Sequence, residues 1–244
     1  MPPSDRTPQP AAVLAALTRT DATAPRLTFY DDGTGERIEL SATTLSRWVA
    51  KAAGLLRDDA DAGPGTSLGL DLPAHWRATY WAVAGWSVGA LVLVGPSAGA
   101  ADVVVTTDPA LAASVVADGR YAVLVTLAAL ARSHPDTPAG VVDEARELAS
   151  YPDRFHAPPP GGTEPAWRIT DGGPEEASDT AYGELVDPSR HSRGCRAVLP
   201  DRLAPMLREA LDVWAVDGSV VLVHDGRDAQ TDRLAAERVT LDLR

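Results

Sequence analysis

Lysine is almost missing from this chain: of its 22 basic residues, Lys51 alone is a lysine and every other is an arginine. Any chemistry that needs a lysine must therefore use Lys51. The preference for Arg, together with abundant Ala and Val, fits a GC-rich genome. Cysteine is just as scarce. A single Cys195 excludes an internal disulfide, which agrees with a reducing compartment and equally with a secreted chain without bridges. No run of about 18 uninterrupted apolar residues is found, which excludes an apolar membrane-spanning helix, and Met1 to Pro10 lacks the basic and apolar pattern of a secretory signal. The expectation is a soluble, cytoplasmic protein. Clustered basic charge is missing too: the net charge of −12 makes bulk attraction to nucleic acid or anionic lipid unfavourable, so neither partner is expected.

What the chain does have is core. With 244 residues and 45% hydrophobic composition, it is long and apolar enough for one large domain or two small ones. Ala11 to Leu17 reads as a short helix, and Leu27 to Tyr30 with Arg37 to Leu40 flank the turn residues Asp31 to Gly35 as a β-hairpin. Ser41 is placed to cap a helix through Leu56, stopped by Asp58-Asp-Ala-Asp61 and Gly63-Pro-Gly65. Strands are expected at Ser67 to Leu72, Ala90 to Val94, Asp102 to Thr106 and Tyr121 to Thr126, separated by helices at Pro73 to Val88 and Pro109 to Ala117. Continuous apolar strands alternating with helices predict an α/β fold: a doubly wound, mainly parallel sheet with flanking helices and the N-terminal β-hairpin. The Pro/Gly-rich stretch around Ala157 to Gly162 and Asp171 to Pro174 reads as an irregular connection. Regular elements return at Asp201 to Val216, Ser219 to His224, Asp228 to Glu237 and Arg238 to Leu243. The expected organisation is an α/β lobe over 1–132, a linker over 133–180 and a small second α/β lobe over 181–244.

One motif looks catalytic. Gly85-Trp-Ser-Val-Gly89 matches the G-x-S-x-G nucleophile elbow, which would make Ser87 the nucleophile of a serine hydrolase, with His191 or His224 downstream as base. The elbow needs a strand before the serine and a helix after it, whereas here the order is reversed, so a helix end with Gly89 as C-cap is the better reading. His75, His134, His156, His191 and His224 are scattered without metal-ligand spacing, and no metal or cofactor is expected. Cys195 lies in the Arg-rich stretch Arg190 to Arg196, where cations can depress a thiol pKa, although a lone cysteine is more often simply packed. Gly63-Pro-Gly65 and Asp31 to Gly35 lack the spacing of phosphate cradles and read as turns, and Asp58, Asp59 and Asp61 as a solvated helix end. No residue is assigned a catalytic, cofactor-binding or metal-binding role.

Taken together, Leu27 to Arg37, Leu40-Ser41, Leu45, Trp48, Ala52 to Leu56, Gly63-Pro-Gly65, Leu70 to Pro73 and Trp86 to Pro96 resemble the opening of the adenylate-forming (AMP-binding) superfamily. That superfamily comprises acyl-CoA synthetases, nonribosomal adenylation domains and luciferases. Leu211 to Val223, followed by Asp228 to Thr240, is similar to a later helix, small-residue turn, strand and helix of the same family. Between these segments the family carries a Ser/Thr/Gly-rich phosphate-binding loop ending in a lysine; here Asp179-Thr-Ala-Tyr-Gly-Glu-Leu-Val186 stands near that place. The family's adenine and ribose motifs, and its mobile C-terminal domain with the catalytic lysine, would lie beyond residue 244. Lys51 is in the wrong segment to substitute. The resemblance thus implies a truncated, non-catalytic remnant, a pseudoenzyme acting as a binding or interaction module; residual acyl or nucleotide binding linked to acyl-CoA metabolism is one alternative, and the Ser87 hydrolase another. A homodimer or protein partner is also expected, because Trp76, Tyr80, Trp81, Val83 and Trp86 point around most of their helix and need cover on several sides.

Overall fold

Strands such as Val103-Val-Val-Thr106 carry apolar side chains on both faces and are stable only when both faces are covered, and that requirement organises the molecule. The computed structural model describes residues 7–170, 177–224 and 230–244. In chain order the elements are α1 (Pro10–Thr20), β1 (Pro25–Asp31), β2 (Glu36–Ser41), α2 (Ala42–Asp58), β3 (Ser67–Asp71), α3 (Trp76–Val88) and β4 (Leu91–Val94). There follow β5 (Val103–Thr106), α4 (Pro109–Ala117), β6 (Tyr121–Leu124), β7 (Val142–Asp143), α5 (Glu144–Glu147), β8 (Pro165–Thr170) and β9 (Ala177–Ala181). The last are β10 (Arg196–Val198), α6 (Leu203–Ala215), β11 (Ser219–His224), α7 (Gln230–Ala236) and β12 (Leu241–Asp242). Residues 228 and 229 of the last expected helix lie outside the described residues.

Two mostly parallel sheets flanked by helices are present, in keeping with the expected α/β class. A seven-stranded sheet has the order β7-β6-β5-β3-β4-β8-β9, and a five-stranded sheet the order β12-β10-β11-β1-β2. Both are parallel throughout, apart from the antiparallel pairs β1/β2 and β8/β9. The hairpin therefore forms as the sequence indicates, but its first strand pairs in parallel with β11, Leu27 opposite Val220 and Phe29 opposite Leu222. The strands expected in the second lobe thus share a sheet with the start of the chain. The stretch 133–180 likewise holds β7, α5, β8 and β9, while 152–162 has no helix or strand. Its strands escape sequence reading because Ala177-Ser-Asp-Thr-Ala181 has little β propensity and Pro165 interrupts the pattern.

Helices α2, α3 and α6 lie between the sheets, α3 against β3 and β4, α2 against β1 and β2, and α6 against β11. Helix α4 covers the opposite face of the seven-stranded sheet, where Val104, Ala112, Val115, Ala122 and Leu124 form a smaller core. Helix α3 is buried on all sides: Trp76, Tyr80, Trp81, Val83 and Trp86 are each at most 3% exposed. Its cover comes from α1, α2 and α6 within the same chain, so the premise of the expected homodimer, an uncovered aromatic helix, is not met. The start of α3 also differs from expectation. Pro73 precedes the helix, and His75 caps it, its Nδ1 accepting a hydrogen bond from the Arg77 N–H at 3.2 Å. Ser41 caps α2 as anticipated, its hydroxyl accepting from the Thr44 N–H. No helix among the described residues is long and apolar enough to cross a membrane.

Candidate functional site

Ser87 does not occupy a nucleophile elbow. It lies in the last turn of α3, and its hydroxyl donates to the Val83 carbonyl at 2.7 Å. The two glycines of the motif have packing roles. A Cβ on Gly85 would stand 2.5 Å from a Leu68 methyl, and Gly89 ends the helix in the left-handed conformation at φ 91°. Neither candidate base hydrogen-bonds Ser87: His191 Nε2 is 2.8 Å from Glu209, and His224 Nδ1 is 3.3 Å from Asp201.

The other residues singled out by sequence are also dispersed. Cys195 is buried, and burial pushes its thiol pKa up despite the nearby arginines. Tyr182 donates to the Ala90 carbonyl at 2.7 Å, and burial raises its phenol pKa. Asp58 pairs with Arg57, and Asp59 accepts a hydrogen bond from Tyr151. His134 Nδ1 accepts from the Asp136 N–H. Among the described residues, His191, Glu209 and Asp212 converge closely enough to hold a metal ion. Arg190 already stands there as the cation, 2.6 Å from Glu209 and 2.9 Å from Asp212. The group is an ion-pair network fastening the loop after Val186 to α6.

The feature with the form of a ligand site lies at the carboxyl edge of the seven-stranded sheet. Chain connections leave β3 toward β4 on one side and run from β5 to β6 on the other, and crevices at such switch points are where α/β sheets bind ligands. Leu70, Asp71 and Leu72 at the end of β3, Val94 to Pro96 at the end of β4, Leu111 of α4 and Arg202 to Pro205 at the start of α6 line a cleft of about 510 Å³. Its lining is mixed, polar and apolar surface in about equal parts, and a hydrogen-bonded group behind it holds Asp71 in place. The Thr106 hydroxyl, fully buried at the end of β5, donates to Asp71 at 2.6 Å and accepts from the Asp108 N–H at 2.9 Å. Asp108 in turn caps α4. Opposite, Arg202 is the N-cap of α6 without a side-chain cap bond, so the first-turn N–H groups of Leu203 and Ala204 and the positive helix end border the cleft beside a guanidinium. No lysine or histidine lines it. A mixed cleft bordered by a helix N-terminus and an arginine suits a small molecule with an anionic end. Sequence reading missed it, although Asp71 and Thr106 at the ends of expected parallel strands were a usable signal.

Comparison with solved structures assigns the class of fold. The chain has the fold of the N-terminal portion of adenylate-forming enzymes: it superimposes on a Brucella canis acyl-CoA synthetase with TM-score 0.76 and 16% identity, covering 96% of this chain and 47% of that one. Acetoacetyl-CoA synthetase from Streptomyces lividans gives TM-score 0.71 and 18% identity over 96% of this chain and 42% of the other. A particular relative is nearer in sequence: a protein described as a "TIGR03089 family protein" from Mycobacterium tuberculosis (strain ATCC 25618 / H37Rv) is 39% identical over 158 residues, 61% of this chain and 64% of that protein. No family model matches the chain.

Proposed function

We propose that this protein is a non-catalytic binding module built on the N-terminal fold of adenylate-forming enzymes, holding a small acyl-type carboxylate in the cleft between Asp71 and Arg202. The observation that carries this reading is the position of the chain's one lysine. Lys51 lies on α2, where its ammonium donates to the carbonyls of Ala149 at 2.8 Å and Tyr151 at 2.5 Å and pairs with Asp153 at 2.9 Å. It ties down a loop and lines neither this cleft nor a phosphate cradle. Adenylyl transfer depends on positioned cations that stabilise phosphate oxygens, and the segment from β8 to β9 has no lysine to supply one. The buried free thiol of Cys195 fits the cytoplasmic setting that belongs to the same reading. The hydrolase alternative draws no support from Ser87, whose hydroxyl is engaged within its own helix.

The test has two arms. Incubated with ATP, magnesium and a panel of carboxylic acids, the protein is expected to exchange no pyrophosphate into ATP, and one short acid of the panel is expected to bind with an affinity that Arg202→Glu lowers at least about tenfold, or ~1.4 kcal/mol. Robust exchange would overturn the non-catalytic reading; binding indifferent to Arg202 would remove the cleft.

A further inference from the structure

We propose that the amino edge of the seven-stranded sheet carries a second, separate site, for an amphipathic carboxylate with one acyl chain. Helix α3 ends immediately before β4, so Ser87 stands at the opposite end of the sheet from the cleft. Two cavities open there, of about 800 Å³ and about 720 Å³, each within the range of small-molecule sites of roughly 300–1,000 Å³. Both are lined by Ala11, Ser87 and Ala157, so they join into one groove.

The groove follows from small residues at helical spacing. Ala11, Leu14, Ala15 and Thr18 form one stripe of α1, facing Val49 and Ala50 of α2 across to Phe155. Alanines on the stripe leave open the space that larger side chains would fill. Along the part of the wall made by α1, α2 and α3 the hydroxyls are internally engaged: Thr18 donates to the Leu14 carbonyl at 3.0 Å and lies 3.2 Å from Ser46, and Ser87 donates to Val83. That part of the wall therefore behaves as apolar. Its outer side is fixed in place, since Lys51 holds Ala149 and Tyr151, the Arg57 guanidinium lies 4.6 Å over the Phe155 ring, and the Gln9 amide donates to the Pro160 carbonyl at 2.9 Å.

Charge at the mouth selects the head group. Asp153 is the only carboxylate among the described lining residues, and Lys51 at 2.9 Å and Arg47 at 3.7 Å already neutralise it. Arg19 and Arg154 also line the groove, and neither has an acidic partner among the described residues, in a chain of net charge −12. An apolar trough ending at two unpaired guanidinium groups fits a hydrocarbon tail with one anionic head.

The experiment titrates dodecanoate, below its micellar concentration, into the full chain by calorimetry, with dodecan-1-ol and dodecyltrimethylammonium as controls. Saturable one-to-one binding of dodecanoate is expected, tighter than that of the ammonium compound. Arg19→Ala with Arg154→Ala is expected to weaken dodecanoate about tenfold while leaving dodecan-1-ol unchanged. Ala11→Trp, at an exposed position common to both cavities, is expected to abolish both ligands; Ala15→Trp serves in its place if circular dichroism shows that the first variant is unfolded. Arg202→Glu, in the cleft at the other edge, is expected to have no effect. Absence of saturable binding, equal binding of the ammonium compound, binding that survives the tryptophan, or loss in Arg202→Glu overturns the proposal.

Discussion

Arg77 and Glu144 form an ion pair at 3.2 Å in which the side chains are 5% and 1% exposed. They stand 67 residues apart in the chain and fasten the stretch after β6 to α3. Glu144 also accepts from Tyr80 and from Trp81 Nε1 at 2.8 Å, and Arg77 donates to the Ala128 carbonyl at 3.2 Å. Burial pushes the Glu144 carboxyl above the usual carboxylate range, against the pull of Arg77. Removing one partner strands a buried polar or charged group, so Arg77→Met and Glu144→Ala are each expected to cost about 3–5 kcal/mol in urea unfolding. The double variant Arg77→Met/Glu144→Ala should lose clearly less than the sum, which a double-mutant cycle reads directly.

His75 carries a pH dependence. Burial, with smaller contributions from Arg77 and His224, lowers its pKa from 6.5 to about 3, so the folded protein holds it neutral. The unfolded chain takes up that proton below about pH 6.5. Between about pH 6.5 and 3 the unfolded state binds more protons, and stability falls as pH falls, by up to ~1.4 kcal/mol per pH unit from this group. His75→Asn keeps a helix-capping side chain and removes the titration. Its stability, measured against wild type from pH 7 to pH 4, is expected to decline less steeply; parallel curves would assign the acid sensitivity elsewhere.

Ser87 is expected to resist labelling by a fluorophosphonate probe, because a serine bonded to its own helix backbone has no adjacent base. Ser87→Ala should change the unfolding free energy by no more than about 0.5–1.5 kcal/mol, the worth of one hydrogen bond. Stoichiometric labelling lost in that variant would restore the hydrolase.

Five of the six tryptophans, Trp76, Trp81, Trp86, Trp167 and Trp214, are buried, and only Trp48 is half-buried. Acrylamide is therefore expected to quench a small part of the native fluorescence, and Trp48→Phe to remove most of that part. Strong quenching of the remaining five would mean that α3 is not covered within one chain.

Local elements were legible where a local cause exists. The Ser41 hydroxyl, the Pro109 start of α4, the Gly89 stop of α3 and the apolar runs of β3 to β6 each act within a few residues. Short strands were not. The three residues of β10 and the polar β9 are strands because a neighbour offers hydrogen bonds, which no window of sequence contains. The cleft was not legible: the expected strand end at Leu72 passed through Asp71 without marking it, and nothing local indicated that Arg202 would line the same cleft.

By itself, the sequence determined the α/β class through its periodicities, and it limits this chain to one lysine and one cysteine, which are facts of composition. Only the tertiary structure decided that there are two sheets, because β1 meets β11 across almost the whole chain and such pairing depends on chain closure rather than local preference. It likewise decided the fate of the aromatic helix. Trp76, Trp81 and Trp86 demand cover on every side, and the sequence states that demand, but whether α6 or a second molecule meets it is settled by packing between distant segments.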